Sequence, residues 1–179
     1  MTGHGLLYRA LPLALVLLAP GCFRARAGLT PEDDAARRER IETLYQDYRR
    51  DFPDVNEVTP QGLLDLRAAG DVVIVDVRTR EEQRVSALPG AIARAEFEAN
   101  RERYRDFTVV TYCTIGARSG AYAERLRGEG CEVFNLKGSV LAWTHAGMML
   151  VDGEGRETRT VHTYGPQWDL VAEGYESVW

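Results

Sequence analysis

Thr108-Val109-Val110-Thr111-Tyr112-Cys113-Thr114-Ile115-Gly116-Ala117-Arg118-Ser119 is the stretch that decides the fold. Its first five residues are β-branched or aromatic, the composition of a strand buried on both faces, and the run stops at a cysteine. A helical stretch follows over about Ser119 to Gly128. Working outward, Val72 to Val77 is a second continuous β-branched run, and Glu132 to Leu136 is a third that leads into Lys137-Gly138-Ser139. Another helical stretch covers about Phe97 to Tyr104. Strands that alternate with helices predict an α/β fold, a parallel sheet with helices on both faces. In such sheets ligands gather at the carboxyl ends of the strands, which is where Asp76, Cys113 and Lys137 stand.

The loop from Cys113 to Ser119 is the candidate site. A cysteine here faces the start of the following helix, whose dipole and free first-turn amides stabilise negative charge. Successive amides of a short glycine-containing loop can form an anion nest, and Arg118 adds a permanent cation. All three effects favour a thiolate nucleophile. The bland alternative is a small buried core cysteine, which the strand-end position, Gly116 and Arg118 argue against.

Beyond this loop the chain carries Val73-Ile74-Val75-Asp76-Val77-Arg78, Leu88-Pro89-Gly90-Ala91-Ile92, Asn135-Leu136-Lys137-Gly138-Ser139 and Ala142-Trp143. With Tyr112 to Ser119 these motifs resemble, in order and spacing, the rhodanese homology domain over about Val55 to Gly147. The resemblance implies a five-stranded parallel sheet and a sulfurtransferase of the thiosulfate type. Cys113 would take a sulfane sulfur from a small donor such as thiosulfate and pass it, as a persulfide, to a thiol or cyanide. It implies no cofactor and no metal. By the same resemblance Cys113 and Arg118 are catalytic, and the loop residues Thr114, Ile115, Gly116, Ala117 and Ser119 bind the substrate. Asp76 and Arg78 match a D-V-R motif that braces the fold. The family's frequent G-H-I-P-G-A is replaced by Ser86-Ala87-Leu88-Pro89-Gly90-Ala91, so no histidine serves the loop as a base. Two rivals stay open. One is a non-enzymatic persulfide carrier or partner-binding module. The other is a cysteine phosphatase or arsenate reductase, disfavoured because Cys113 to Arg118 spans C-x4-R rather than C-x5-R.

The remaining segments set the organisation. The chain of 179 residues has 45% hydrophobic and 27% charged residues and a net charge of −5, which fits one soluble domain and gives no pull toward nucleic acid. Its three cysteines and three histidines form no metal-ligand spacing and no disulfide scaffold. Cys131, at the start of its strand, is expected to be too far from Cys113 to pair with it. Residues 1–27 read as an export signal: Arg9 precedes the apolar run Ala10 to Ala19, too short for a membrane span. Either Ala25-Arg26-Ala27 is cleaved, or Leu18 to Cys22 acts as an imperfect lipobox with Cys22 lipidated, so the product is expected to be periplasmic or membrane-anchored. Residues 28–54 predict an amphipathic helix that starts at Thr30-Pro31, carries Ile41, Leu44, Tyr45, Tyr48 and Phe52, and is ended by Pro53. A second helix starts at Thr59-Pro60 and is stopped by Gly70. The rhodanese-like unit takes residues 55–147. Residues 148–179 form an extension: a hairpin over Met148 to Tyr164, then a tail rich in apolar residues. It is expected to pack with the N-terminal helix, away from the active loop and without a catalytic residue, and Trp143, Trp168 and Trp179 are expected to be packing residues.

Overall fold

The computed structural model describes Met1 and residues 33–179. The export signal, Cys22, the cleavage site and the Thr30-Pro31 helix start lie outside the described residues. The described chain begins with α1 (Asp34–Arg49), whose cap is Asp33: its Oδ1 accepts from the Ala36 amide at 2.8 Å. β1 (Asn56–Val58) leads to α2 (Pro60–Ala69), which has Thr59 as N-cap, proline at its first position and Gly70 as C-cap. There follow β2 (Val72–Asp76), α3 (Arg80–Val85), β3 (Ile92–Ala93), α4 (Arg94–Ala99), β4 (Thr108–Tyr112), α5 (Ala117–Gly128), β5 (Val133–Leu136) and α6 (Ser139–His145). The predicted helix over Phe97 to Tyr104 is instead α4 followed by a separate 3₁₀ turn at Arg101–Tyr104.

The five strands form one parallel sheet in the order β1-β5-β4-β2-β3. Side chains alternate across it, so both faces are apolar and both need cover. Ile74, Val110 and Leu136 pack on one face with Ile41 of α1, Leu63 of α2 and Leu141 of α6. Val73, Val75, Val109 and Val133 pack on the other with Phe97 of α4 and Tyr122 and Leu126 of α5. Phe52 also joins this second cluster, from a turn beyond α1 rather than from the helix stripe, because α1 ends at Arg49.

The appendages depart from expectation. The apolar stripe of α1 does not wait for the extension: Ile41 and Tyr45 are buried within the domain. The hairpin is also shorter than predicted. β6 (Leu150–Val151) pairs antiparallel with β7 (Glu157–Thr158), whereas β8 (Thr160–His162) turns away and pairs parallel with β9 (Glu176–Val178) of the tail. The hairpin is fastened to the domain by reciprocal bonds between Ala87 and Val151, at 2.7 and 3.0 Å. The tail does meet α1, as expected. Arg37 Nη1 donates to the Val171 carbonyl at 2.9 Å, and the Glu173 amide donates to Asp34 Oδ1 at 2.9 Å. Val161, Leu170 and Val171 are buried in the main core, so the extension is part of the same packed unit.

Candidate active site

Cys113 follows the last residue of β4 and is 1% exposed. The Gly116 amide donates to its Sγ at 3.1 Å, closing the loop over the sulfur. Gly116 has φ +110, and a Cβ there would meet the Tyr45 ring at 2.5 Å, so both backbone and space require glycine. α5 begins at the next residue and brings the positive end of a twelve-residue helix to the loop.

The loop's polar groups are held by β5 and α6. Asn135 Nδ2 donates to the Gly116 carbonyl at 2.9 Å, and its Oδ1 accepts from Ser119 Oγ at 2.7 Å. Ser139 Oγ accepts from the Cys113 amide at 3.1 Å. The amides of Val140 and Leu141, in the first turn of α6, donate to the carbonyls of Cys113 and Thr114, each at 3.2 Å. Gly138, at φ +66, makes the turn into α6 where a Cβ would meet Ala142 at 2.7 Å. The Asn135 to Ser139 motif is thus the scaffold of the Cys113 loop.

Two carboxylate–guanidinium pairs flank the loop, the first buried and the second with its arginine partly exposed. Arg78 Nε and Nη2 grip Asp76 at 3.0 and 2.7 Å, and the Tyr112 hydroxyl donates to the same carboxylate at 2.5 Å. Arg78 Nη2 also donates to the Ser86 carbonyl, and the Leu88 amide donates to the Tyr112 hydroxyl. Asp76 and Arg78 therefore tie two strands to the loop before β3. The second pair joins Arg118 to Glu82, with Nη1 to Oε2 at 2.9 Å and Nη2 to Oε1 at 2.7 Å. Arg118 Nη2 also donates to Thr114 Oγ1 at 3.1 Å. Burial alone would raise the Glu82 carboxyl. The bonds from Arg118 and from the Thr79 amide outweigh it and hold the group at about 2. For Arg118, burial pulls downward, but the Glu82 bond and the neighbouring Cys113 leave its pKa raised.

A cavity of about 180 Å³ opens on the loop. Cys113, Thr114, Ile115, Ala117 and Arg118 of the loop line it together with Tyr48, Tyr164 and Trp168. Gly116 and Ser119, expected to bind substrate, are not on its wall: the Gly116 amide donates to Cys113 Sγ, and Ser119 is fully buried with its Oγ donating to Asn135. Asp76 and Lys137 share the sheet edge with Cys113 but not this cavity. Lys137 lines a different one, of about 410 Å³, and pairs with Glu42 at 2.7 Å. Cys131 is a free thiol like Cys113, and its Sγ accepts from Arg101 Nη2 at 3.3 Å.

Two features escaped the sequence reading. Glu82 carries one signal in the sequence, the capping-box pattern Thr79-Arg80-Glu81-Glu82, and the structure shows that box at the start of α3. The extension does not keep away from the site as expected. It instead supplies Tyr164 and Trp168, because β8 packs near α3 and the chain then passes over the Cys113 loop. Trp143 is buried as expected, whereas Trp179 is 60% exposed.

The rhodanese-like domain family matches residues 59–146 of this geometry. A sulfurtransferase of Allochromatium vinosum is 33% identical over 112 residues, which cover 56% of this chain and 99% of that protein. The chain belongs to the rhodanese-like family. A tRNA sulfurtransferase of Desulfurococcus amylolyticus is 44% identical over 79 residues, 44% of this chain. A tRNA uridine(34) hydroxylase of Ruegeria pomeroyi is 34% identical over 96 residues, 48% of this chain. The matched parts span only 16% and 32% of those two proteins. A crystal structure of thiosulfate sulfurtransferase from Pseudomonas aeruginosa shares the fold, with a TM-score of 0.53 at 22% identity. It matches over 65% of this rhodanese-like chain and 23% of its own.

Proposed function

We propose that this rhodanese-like protein is a sulfurtransferase that carries sulfane sulfur as a persulfide on Cys113. The observation that carries the reading is the Gly116 amide directed at a buried Cys113 Sγ, in a loop that opens α5 and sits beside Arg118. The sulfurtransferase names of the matched relatives support it.

The chemistry runs in two displacements. The Cys113 thiolate attacks the outer sulfur of thiosulfate; the donor's S–S bond breaks and sulfite leaves with the electron pair, which gives Cys113–S–S⁻. Cyanide or a thiolate then attacks that terminal sulfur, the new S–S bond breaks, and the Cys113 thiolate returns. Neither step needs a general base. The Gly116 amide and the dipole of α5 stabilise the negative sulfur in each resting form. A covalent intermediate that outlasts the first product gives ping-pong kinetics. Export to the periplasm or its membrane surface is part of the same proposal, resting on residues 1–27 and on Cys22.

Steady-state kinetics with thiosulfate and cyanide test the reading. Parallel double-reciprocal lines are expected for the wild type, with no thiocyanate above background from Cys113→Ser. A Cys113→Ser protein that still formed thiocyanate would end it.

A further inference from the structure

Three aromatic side chains line the cavity together with Cys113, and the sulfur-transfer step uses none of them. Tyr48 comes from α1, and Tyr164 and Trp168 come from the extension. The Tyr48 and Trp168 rings lie 6.2 Å apart at 43°. Trp168 also packs against the main core, which fixes this part of the wall.

Tyr164 is the unusual member. It stands at φ +73, a left-handed conformation that is costly for a residue with a bulky side chain. Its side chain is not buried, since the residue is 62% exposed, so core packing does not explain the strain. The segment is pinned on the amino side of the ring. The Thr163 amide donates to the Val178 carbonyl at 2.9 Å, and the Tyr164 amide donates to His162 Nδ1 at 3.2 Å. This places the Tyr164 ring over the Arg118 guanidinium, 5.2 Å from its carbon to the ring centroid.

The charge at the site matters as much as its shape. Among the described residues Arg118 is the one cationic side chain that lines the cavity, and both its terminal nitrogens are bonded to Glu82 while one face carries Tyr164. Its positive charge is already engaged by a carboxylate. Among the described residues a small dianion therefore meets no cation that is not already paired, whereas an apolar planar group finds three rings and Ile115.

We infer that Tyr164, Trp168 and Tyr48 form a substituent subsite that selects organic sulfur compounds with an apolar, planar group over inorganic thiosulfate. The inference rests on Cys113 being the sulfur carrier and names the class of compound that reaches it. With an organic thiosulfonate the step balances as before: the Cys113 thiolate takes the outer sulfur, the S–S bond breaks, and a sulfinate leaves with the electron pair.

The test compares benzenethiosulfonate, methanethiosulfonate and thiosulfate as donors to the purified chain, measured as kcat/KM and normalised to each donor's rate with a small free thiol. The first two share charge and leaving-group type, so their ratio reads the planar group alone. The expected result is a wild-type preference for the phenyl donor over both others. Tyr164→Ala lowers the phenyl-to-methyl ratio about five-fold, the loss of one ring contact, while Tyr164→Phe keeps it. Because Tyr164 is exposed, its alanine variant still folds, and Trp168→Ala gives a second reading of the same ratio. A ratio unchanged in Tyr164→Ala, or a wild type that favours thiosulfate, overturns the subsite while leaving the Cys113 chemistry standing. No sulfur loaded on wild-type Cys113 from any of the three overturns both.

Discussion

Asp76–Arg78 and Glu82–Arg118 are both carboxylate–guanidinium pairs flanking the Cys113 loop, and they differ in what the arginine faces. The Arg78 side chain is 0% exposed and Asp76 2%, and their remaining bonds go to Tyr112 and Ser86 inside the domain. In the second pair Glu82 is 1% exposed but Arg118 is 36% exposed and lines the cavity. The first pair closes on itself and joins β2, β4 and the loop before β3. The second has a buried half that fixes the arginine and an open half that meets whatever approaches Cys113. The same chemistry thus braces the fold at one place and shapes the site at the other, with burial of the cation deciding which.

If that contrast is right, removing each arginine damages a different property. Arg78→Met leaves the Asp76 carboxylate buried without its cation, which costs about 3–5 kcal/mol, with sulfur loading retained by the molecules that still fold. Denaturant unfolding checks this through a large fall in the midpoint at constant m. A loss under 1 kcal/mol would remove the bracing role. Gly116→Ala strikes between the two pairs. It forces a Cβ into φ +110 and against Tyr45, so a cost of about 2–4 kcal/mol is expected together with slower sulfur loading. Unchanged loading would show that the loop closes over Cys113 without the Gly116 geometry.

The smallest effect on stability belongs to Arg118→Lys. It keeps the charge but gives up the fork that grips Glu82, so a cost of about 1–2 kcal/mol is expected. Donor KM should rise more than kcat falls, and an unchanged KM would take Arg118 out of the donor site. The pH dependence sharpens this. Glu82 is held at about 2, below the ordinary carboxylate range, so its contribution is fully present above pH about 4.5 and is lost as pH falls through about 2. With the Arg118 fork gone, the Glu82 carboxyl rises back toward its ordinary value, so the variant has less stability to lose between pH about 4.5 and about 2 and its acid loss is smaller. Coincident acid-unfolding curves for the two proteins would contradict the pairing.

Much of this was legible in the sequence, and what was not has a physical reason. β2, β4 and β5 announce themselves because strands covered on both faces must be continuously apolar. The Cys113 loop is readable because Gly116, Arg118 and Ser119 stand at fixed offsets from the cysteine. β1 and β3 are three and two residues long, too short to carry a period. Glu82 looks like one more surface acid of a short helix; its burial exists only once α3 is set against the first turn of α5. Tyr164 lies 51 positions after Cys113 in the chain. Its place over Arg118 depends on β8 leaving the hairpin to pair with β9, a parallel pairing that no local turn signal marks.

Peptide mass analysis of the chain after incubation with a sulfane-sulfur donor tests the central claim most directly. The account predicts one added sulfur on the peptide that contains Cys113, none on the peptide that contains Cys131, and removal of that sulfur by cyanide. Sulfur found on Cys131, or loading that persists in Cys113→Ser, would contradict it.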